Sequence, residues 1–195
     1  MRAVLLCLAA AALASAQTDL PSIAAKTAGM TAMPGYFPLY YESKTGKLFL
    51  EIPRWNDDFL YVDSLPAGVG SNDIGLDRGQ IGNSRVVRFE RFGPKVLLVQ
   101  PNQDYRAETN DPQERRAVAE SFAESVLWGF TPEAEDGGRV LVDATAFFLR
   151  DVHGIPETLS GKKQGNYSLD EKRSTIYPER TKSFPRNTEV EALLT

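Results

Sequence analysis

Four side chains able to hold or position a ligand stand close together in one glycine-rich stretch, Ser64 to Ser84. They are Asn72, Asp73, Asp77 and Arg78, set among Gly68, Gly70, Gly75, Gly79 and Gly82. Oxygen ligands in a flexible loop suit calcium, but this spacing is not that of an EF-hand. The simpler expectation is that the acids cap turns and pair with Arg78 or Arg85. A phosphate loop is excluded, because there is no Gly-Lys-Ser/Thr ending and a strand-like run, not a helix, follows. Val69, Ile74, Leu76 and Ile81 recur through the stretch as apolar anchors, which predicts an ordered Ω-type loop rather than a linker. Asn72, Asp73, Asp77 and Arg78 are therefore the candidate substrate- or partner-contacting residues.

Elsewhere the chemistry is sparse. The chain has one histidine, His153. A zinc-hydrolase helix needs two histidines one turn apart with a glutamate between them, so the chain supplies no such site. Serine or cysteine nucleophiles lack a base other than His153, and no G-x-S-x-G elbow is present. With 26 acidic residues a glycosidase-type carboxylate pair is arithmetically possible, yet context singles none out. Tyr36, Tyr40, Tyr41, Trp55, Tyr61, Tyr105 and Trp128 offer aromatic surface for sugar or peptide, although at strand spacing such residues more often pack a core.

The elements that must position these groups begin after a leader. Arg2, the apolar run Ala3 to Leu13 and the Ala14-Ser15-Ala16 signature predict a signal peptide over residues 1–16, cleaved before Gln17. The apolar run is shorter than the ~20 residues a membrane span needs. Export, periplasmic or secreted, is the expected destination. Cys7 is the only cysteine and lies in the leader, so the mature chain is expected to hold together without disulfides. The full chain has 22 bases against 26 acids, a net charge of −4, and losing the leader removes one base and no acid. That balance argues against nucleic acid as a partner.

Residues 17–34 read as a linker or loosely ordered arm, and 35–195 as a single α+β domain. Tyr36 to Tyr41 and Lys47 to Pro53 form one predicted hairpin, turned at Ser43 to Gly46. Phe59 to Leu65 leads into the glycine loop. Ser84 to Phe92 and Lys95 to Pro101 form a second hairpin around Gly93-Pro94. Asn110-Asp111-Pro112 opens a helix expected to run to Trp128, with Val118, Phe122 and Val126 as its buried stripe. Arg139 to Thr145 is a strand followed by a short helix capped near Asp143 or Thr145. A further strand pair is expected around Ser168 to Asp170 and Thr175 to Tyr177. The fold class is α+β: antiparallel hairpins forming a sheet with one main amphipathic helix packed on it. The alternation of Val190, Ala192 and Leu194 runs to the last residues, so the chain is read as truncated within a strand.

The strings FLYVDSLPAGVGSNDIGLDRGQIG, VVRFERFGPKVLLVQPNQDYRA, AVAESFAESVLWGF, VLVDATAFFLRDVHG and FPRNTEVEALLT carry a family resemblance. Over Thr27 to Thr195 the chain resembles the N-terminal domain of unknown function of secreted bacterial zinc-dependent metalloproteases. The resemblance implies a zinc-binding H-E-x-x-H helix far downstream, absent here, and no catalytic residue carries over. It implies zinc only in that later domain, none in this chain, and an inactive segment that supports the peptidase domain or helps bind peptide substrate. The alternative is a free-standing exported module for peptide or glycan. An independent carboxylate hydrolase is the third reading.

Overall fold

The computed structural model describes residues 20–68 and 72–195. The signal peptide and Val69 lie outside the described residues. Helix α1 (Ile23–Lys26) and strand β1 (Thr31–Met33) come first, so from Leu20 onward the expected arm supplies regular elements. Then follow β2 (Leu39–Glu42), β3 (Lys47–Ile52), β4 (Phe59–Ser64), β5 (Ile81–Phe92), β6 (Lys95–Gln100), α2 (Pro112–Ser121), β7 (Ser125–Phe130), β8 (Pro132–Asp136) and β9 (Arg139–Asp143). Two short helices, α3 (Thr145–Phe148) and α4 (Ile155–Gly161), precede β10 (Thr175–Ile176), β11 (Lys182–Ser183), β12 (Thr188–Glu189) and β13 (Ala192–Leu193). The architecture is mostly antiparallel sheet with a few short helices.

Two larger sheets result, ordered β1-β2-β3-β9-β8 and β4-β5-β6-β7. Period-2 side-chain alternation explains how they share one core. Leu48, Leu50 and Ile52 of β3, with Val140 and Val142 of β9, meet Val87, Phe89, Val96 and Leu98 of the second sheet. Phe49 and Leu141 point the other way, onto Ile23 of α1 and Ala134 of β8. Strands β3 and β9 inside the first sheet are therefore buried on both faces, which accounts for the run of buried residues from Leu48 to Ile52. Among the described residues no helix is long and apolar enough to cross a membrane.

The expected long helix is corrected. Helix α2 ends at Ser121, none of its residues is buried, and Ser125–Phe130 is strand β7. Asp111 caps α2 through the Gln113 amide at 2.8 Å, as the Asn-Asp-Pro start predicts. At Phe122 the backbone turns extended, and Leu97, Leu98 and Val99 of β6 pair with Gly129, Trp128 and Val126. Valine and tryptophan suit a pleated surface, and a neighbouring strand with free backbone groups outweighs the i, i+4 stripe. The expected pairing of Ser168 to Asp170 with Thr175 to Tyr177 is also replaced, since β10 pairs with β13.

A polar relay fastens the end of β9 to the start of β3. The Asp143 carboxylate accepts from the Thr145 amide at 3.0 Å and hydroxyl at 2.6 Å, and the Leu48 amide donates to the same hydroxyl at 3.0 Å. Lys47 Nζ lies 2.8 Å from the other Asp143 oxygen. Burial alone would raise the Asp143 carboxyl, but the bonds from Lys47 and Thr145 outweigh it and hold the group below its ordinary range. The Asp143 hydrogen bond and charge raise Lys47 in turn. A depressed carboxyl contributes stability above its unfolded pKa and loses it as pH falls through the folded value. Asp143→Asn is thus expected to cost about 1–2 kcal/mol at neutral pH. In urea titrations the gap from wild type should shrink below the ordinary carboxylate range. It should shrink again above the ordinary lysine range. A gap independent of pH would refute the relay.

Candidate functional site

The glycine loop is built from its own backbone bonds. Leu65 N–H donates to the Gln80 carbonyl at 2.9 Å, and Gly79 N–H to the Leu65 carbonyl at 2.7 Å. Gly75 and Gly79 take positive φ of 74° and 80°, angles at which a side chain would be strained. Leu76 is buried and Ile74 half-buried, whereas Ile81 is 67% exposed. Only part of the expected anchoring is therefore present. A 3-10 turn spans Asn72–Ile74, and Lys162 Nζ donates to the Asp73 carbonyl at 2.6 Å.

Of the four sequence candidates, the Asn72 side chain lies outside the described residues, and the other three form no cluster on this loop. Asp73, Asp77 and Arg78 are exposed. Asp77 is held through its amide, which donates to Gln80 Oε1 at 3.2 Å. Among the described residues neither aspartate forms an ion pair with Arg78 or Arg85, and no three His, Cys, Asp or Glu side chains converge. Arg85 turns instead to Asp63.

That pairing belongs to a polar cluster under the loop. Phe59, Tyr61 and Asp63 alternate along β4, so Asp63 follows two core aromatics into the interior. Its Oδ1 accepts from Arg85 Nη1 at 3.2 Å and its Oδ2 from the Asn83 amide at 3.2 Å. The Asp63 side chain is only 4% exposed, and His153 Nε2 lies 4.0 Å from its Oδ2. That histidine nitrogen is buried without a hydrogen-bond partner among the described residues. Gly82 must lack a side chain, for a Cβ there would sit 2.0 Å from Asp63 Oδ2 and 3.0 Å from His153 Cε1. The Asp151 carboxylate takes the amides of His153 at 3.0 Å and Ile155 at 2.7 Å, fixing the segment that carries the imidazole. Sequence reasoning missed this group, although an aspartate at an inward position of β4 was a usable signal.

At another margin of the sheets, Trp55, Asn56, Glu90, Arg91, Glu135 and Gly138 line an open cleft of about 460 Å³. The indole N–H donates to the Gly138 carbonyl at 2.9 Å, and Arg91 pairs with Glu135 at 3.0 Å. An aromatic wall beside carboxylates and a guanidinium can meet the polar and apolar faces of a sugar or peptide.

Residues 79–195 match the model of a domain of unknown function, DUF5117. The chain belongs to this family. Residues 21–68 match a second domain of unknown function, DUF5118. No curated protein and no solved structure matches the chain. The DUF5118 segment supplies β1 to β4 and the DUF5117 segment β5 to β13, but the core does not respect that division. Leu50 of the DUF5118 segment pairs with Val142 of the DUF5117 segment, and Leu60 pairs with Val86. Both sheets therefore combine the two matched segments, and the glycine loop is the passage between them.

Proposed function

We propose that this chain is the non-catalytic front region of an exported zinc-dependent metallopeptidase, and that it holds extended peptide for the downstream catalytic domain. The observation that carries this reading is the edge of the second sheet. Strand β4 is terminal in the order β4-β5-β6-β7. Its outward residues Leu60 and Val62 are 65% and 42% exposed, beside Ile81, which faces Ser64 across the ladder. Protein sheets commonly cover or charge such edges. An extended peptide can instead add as a further strand, its main chain giving affinity and alternate side chains specificity. The family resemblance and the leader-like residues 1–16 support the placement in an exported peptidase. The glycine loop, with Asp73, Asp77 and Arg78 on its surface, borders the same edge and would present charge to peptide or to the peptidase domain.

The test has two parts. The coding frame beyond Thr195 is expected to reach H-E-x-x-H, and an immediate stop codon would overturn the reading. In the full polypeptide, replacing both Leu60 and Val62 by lysine should leave stability within about 1 kcal/mol of wild type, because both are exposed. It should raise KM for unfolded casein about tenfold while sparing a short chromogenic peptide. Unchanged casein hydrolysis would remove β4 from substrate binding. A second reading, a free-standing peptide- or glycan-binding module, is favoured by the Trp55 cleft. It requires a stop codon after Thr195 and binding that Trp55→Ala abolishes.

A further inference from the structure

We infer that Arg85 and Arg150 form a binding site for a single carboxylate group. The inference is independent of the β4 edge and of the metallopeptidase reading. Arg85, Leu127, Arg150, Asp151 and Val152 line a cavity of about 150 Å³. A water molecule claims about 30 Å³ of liquid volume, so the space accepts a carboxylate with a short stem.

Arg150 is the reason to expect an anion there. Its guanidinium lies over the rings of Phe147 at 4.4 Å and Trp128 at 5.4 Å. Among the described residues its hydrogen bonds go only to neutral acceptors at the long limit, the Leu127 carbonyl at 3.4 Å and the Tyr61 hydroxyl at 3.5 Å. Its Nε is buried with no partner among the described residues. Among the described residues no carboxylate comes within ion-pair distance of Arg150, whereas Asp63 is engaged by Arg85. Asp151 lines the same cavity, but both of its oxygens already accept backbone amides. A half-buried guanidinium without a counter-charge is costly, and its planar fork matches a carboxylate in two-point contact. The two acids beside the two arginines favour a monoanion over a dianion, hence a carboxylate rather than phosphate.

The carboxylate can come from an acidic side chain or from a peptide's C-terminus, and the probes separate the two. The full chain, labelled with 15N, is titrated with N-acetyl-alanyl-alanine, N-acetyl-glutamic acid amide, the neutral N-acetyl-alanyl-alanine amide, and inorganic phosphate. The arginine Nε–Hε signals report, with Arg150 assigned by its loss in Arg150→Lys. At least one carboxylate probe should shift the Arg150 signal saturably, with Kd in the ~0.1–10 mM range. The source of the carboxylate follows from which probe binds, and Arg150→Lys, which keeps charge but loses the fork, should weaken binding about tenfold. Arg85→Lys gives a second variant should the first not fold. The site is overturned if neither carboxylate saturates, if the neutral amide or phosphate binds as tightly, or if the folded lysine variants bind unchanged. Arg150 would then serve only as packing for Trp128 and Phe147.

Discussion

Phe37→Ala is expected to destabilise the protein by about 3–5 kcal/mol, the cost of removing a buried aromatic ring whose site cannot collapse. Phe37 is 6% exposed and meets Tyr36 and Phe59 at 4.8 Å and Phe89 at 5.5 Å between ring centroids. Its backbone is held as firmly. The Phe37 amide donates to Thr188 Oγ1 at 3.0 Å, and its carbonyl accepts from the Ser183 and Thr188 hydroxyls at 2.8 and 3.0 Å. The residue thus ties the DUF5118 segment to both the second sheet and the C-terminal hairpins. The matched control is Phe122→Ala. Phe122 is 38% exposed and stacked on exposed Tyr105, so its loss should stay within about 1 kcal/mol. Urea unfolding of the two variants checks the pair. Equal losses would show that the core does not centre on Phe37.

Glu51→Ala is expected to cost about 3 kcal/mol, because a buried carboxylate leaves behind two donors and a void. Glu51 is 2% exposed and accepts from the Tyr40 hydroxyl and from Arg139 Nη1, each at 2.8 Å. The full penalty of a broken buried pair does not apply, since Arg139 is 45% exposed and reaches Asp136. Burial, then the hydrogen bond and charge of Glu51, push the Tyr40 phenol up to about 12. A raised phenol contributes stability that is complete below its unfolded pKa and is lost as pH rises through the folded value. Ultraviolet titration of wild type should therefore show one tyrosine ionising late. In Glu51→Gln, which keeps the shape and loses the charge, that step should move down while stability falls by only about 1 kcal/mol. A late step unmoved in Glu51→Gln would dissociate the phenol from this carboxylate.

Much of the local structure was legible because its causes are local. The turn around Gly46, with φ of 72°, and the Gly93-Pro94 turn set hairpins whose register follows from turn length and alternation. The start of α3 beside Asp143 and Thr145 was likewise readable, although the cap position falls on Ala144, which makes no side-chain capping bond, and Asp143 accepts from the Thr145 amide. The helix boundary was not. Val118, Phe122 and Val126 satisfy helical spacing, and only a neighbouring β6 with unpaired backbone decides that Val126 to Trp128 become strand.

Pairings and sites depend on residues far apart in the chain, whose approach no local preference encodes. Leu50 finds Val142 as its partner in the first sheet. Asp63, Arg85 and His153 meet only because β4 and β5 carry their inward faces over the segment after α3. Composition alone shows a mildly acidic chain with one histidine and one cysteine. Its alternating apolar residues dictate strands with buried faces. Which strands share a sheet, and which charges are buried beneath the glycine loop, was decided by tertiary packing. Burial energy depends on the area that distant surfaces remove from water together, and charges follow the faces that carry them.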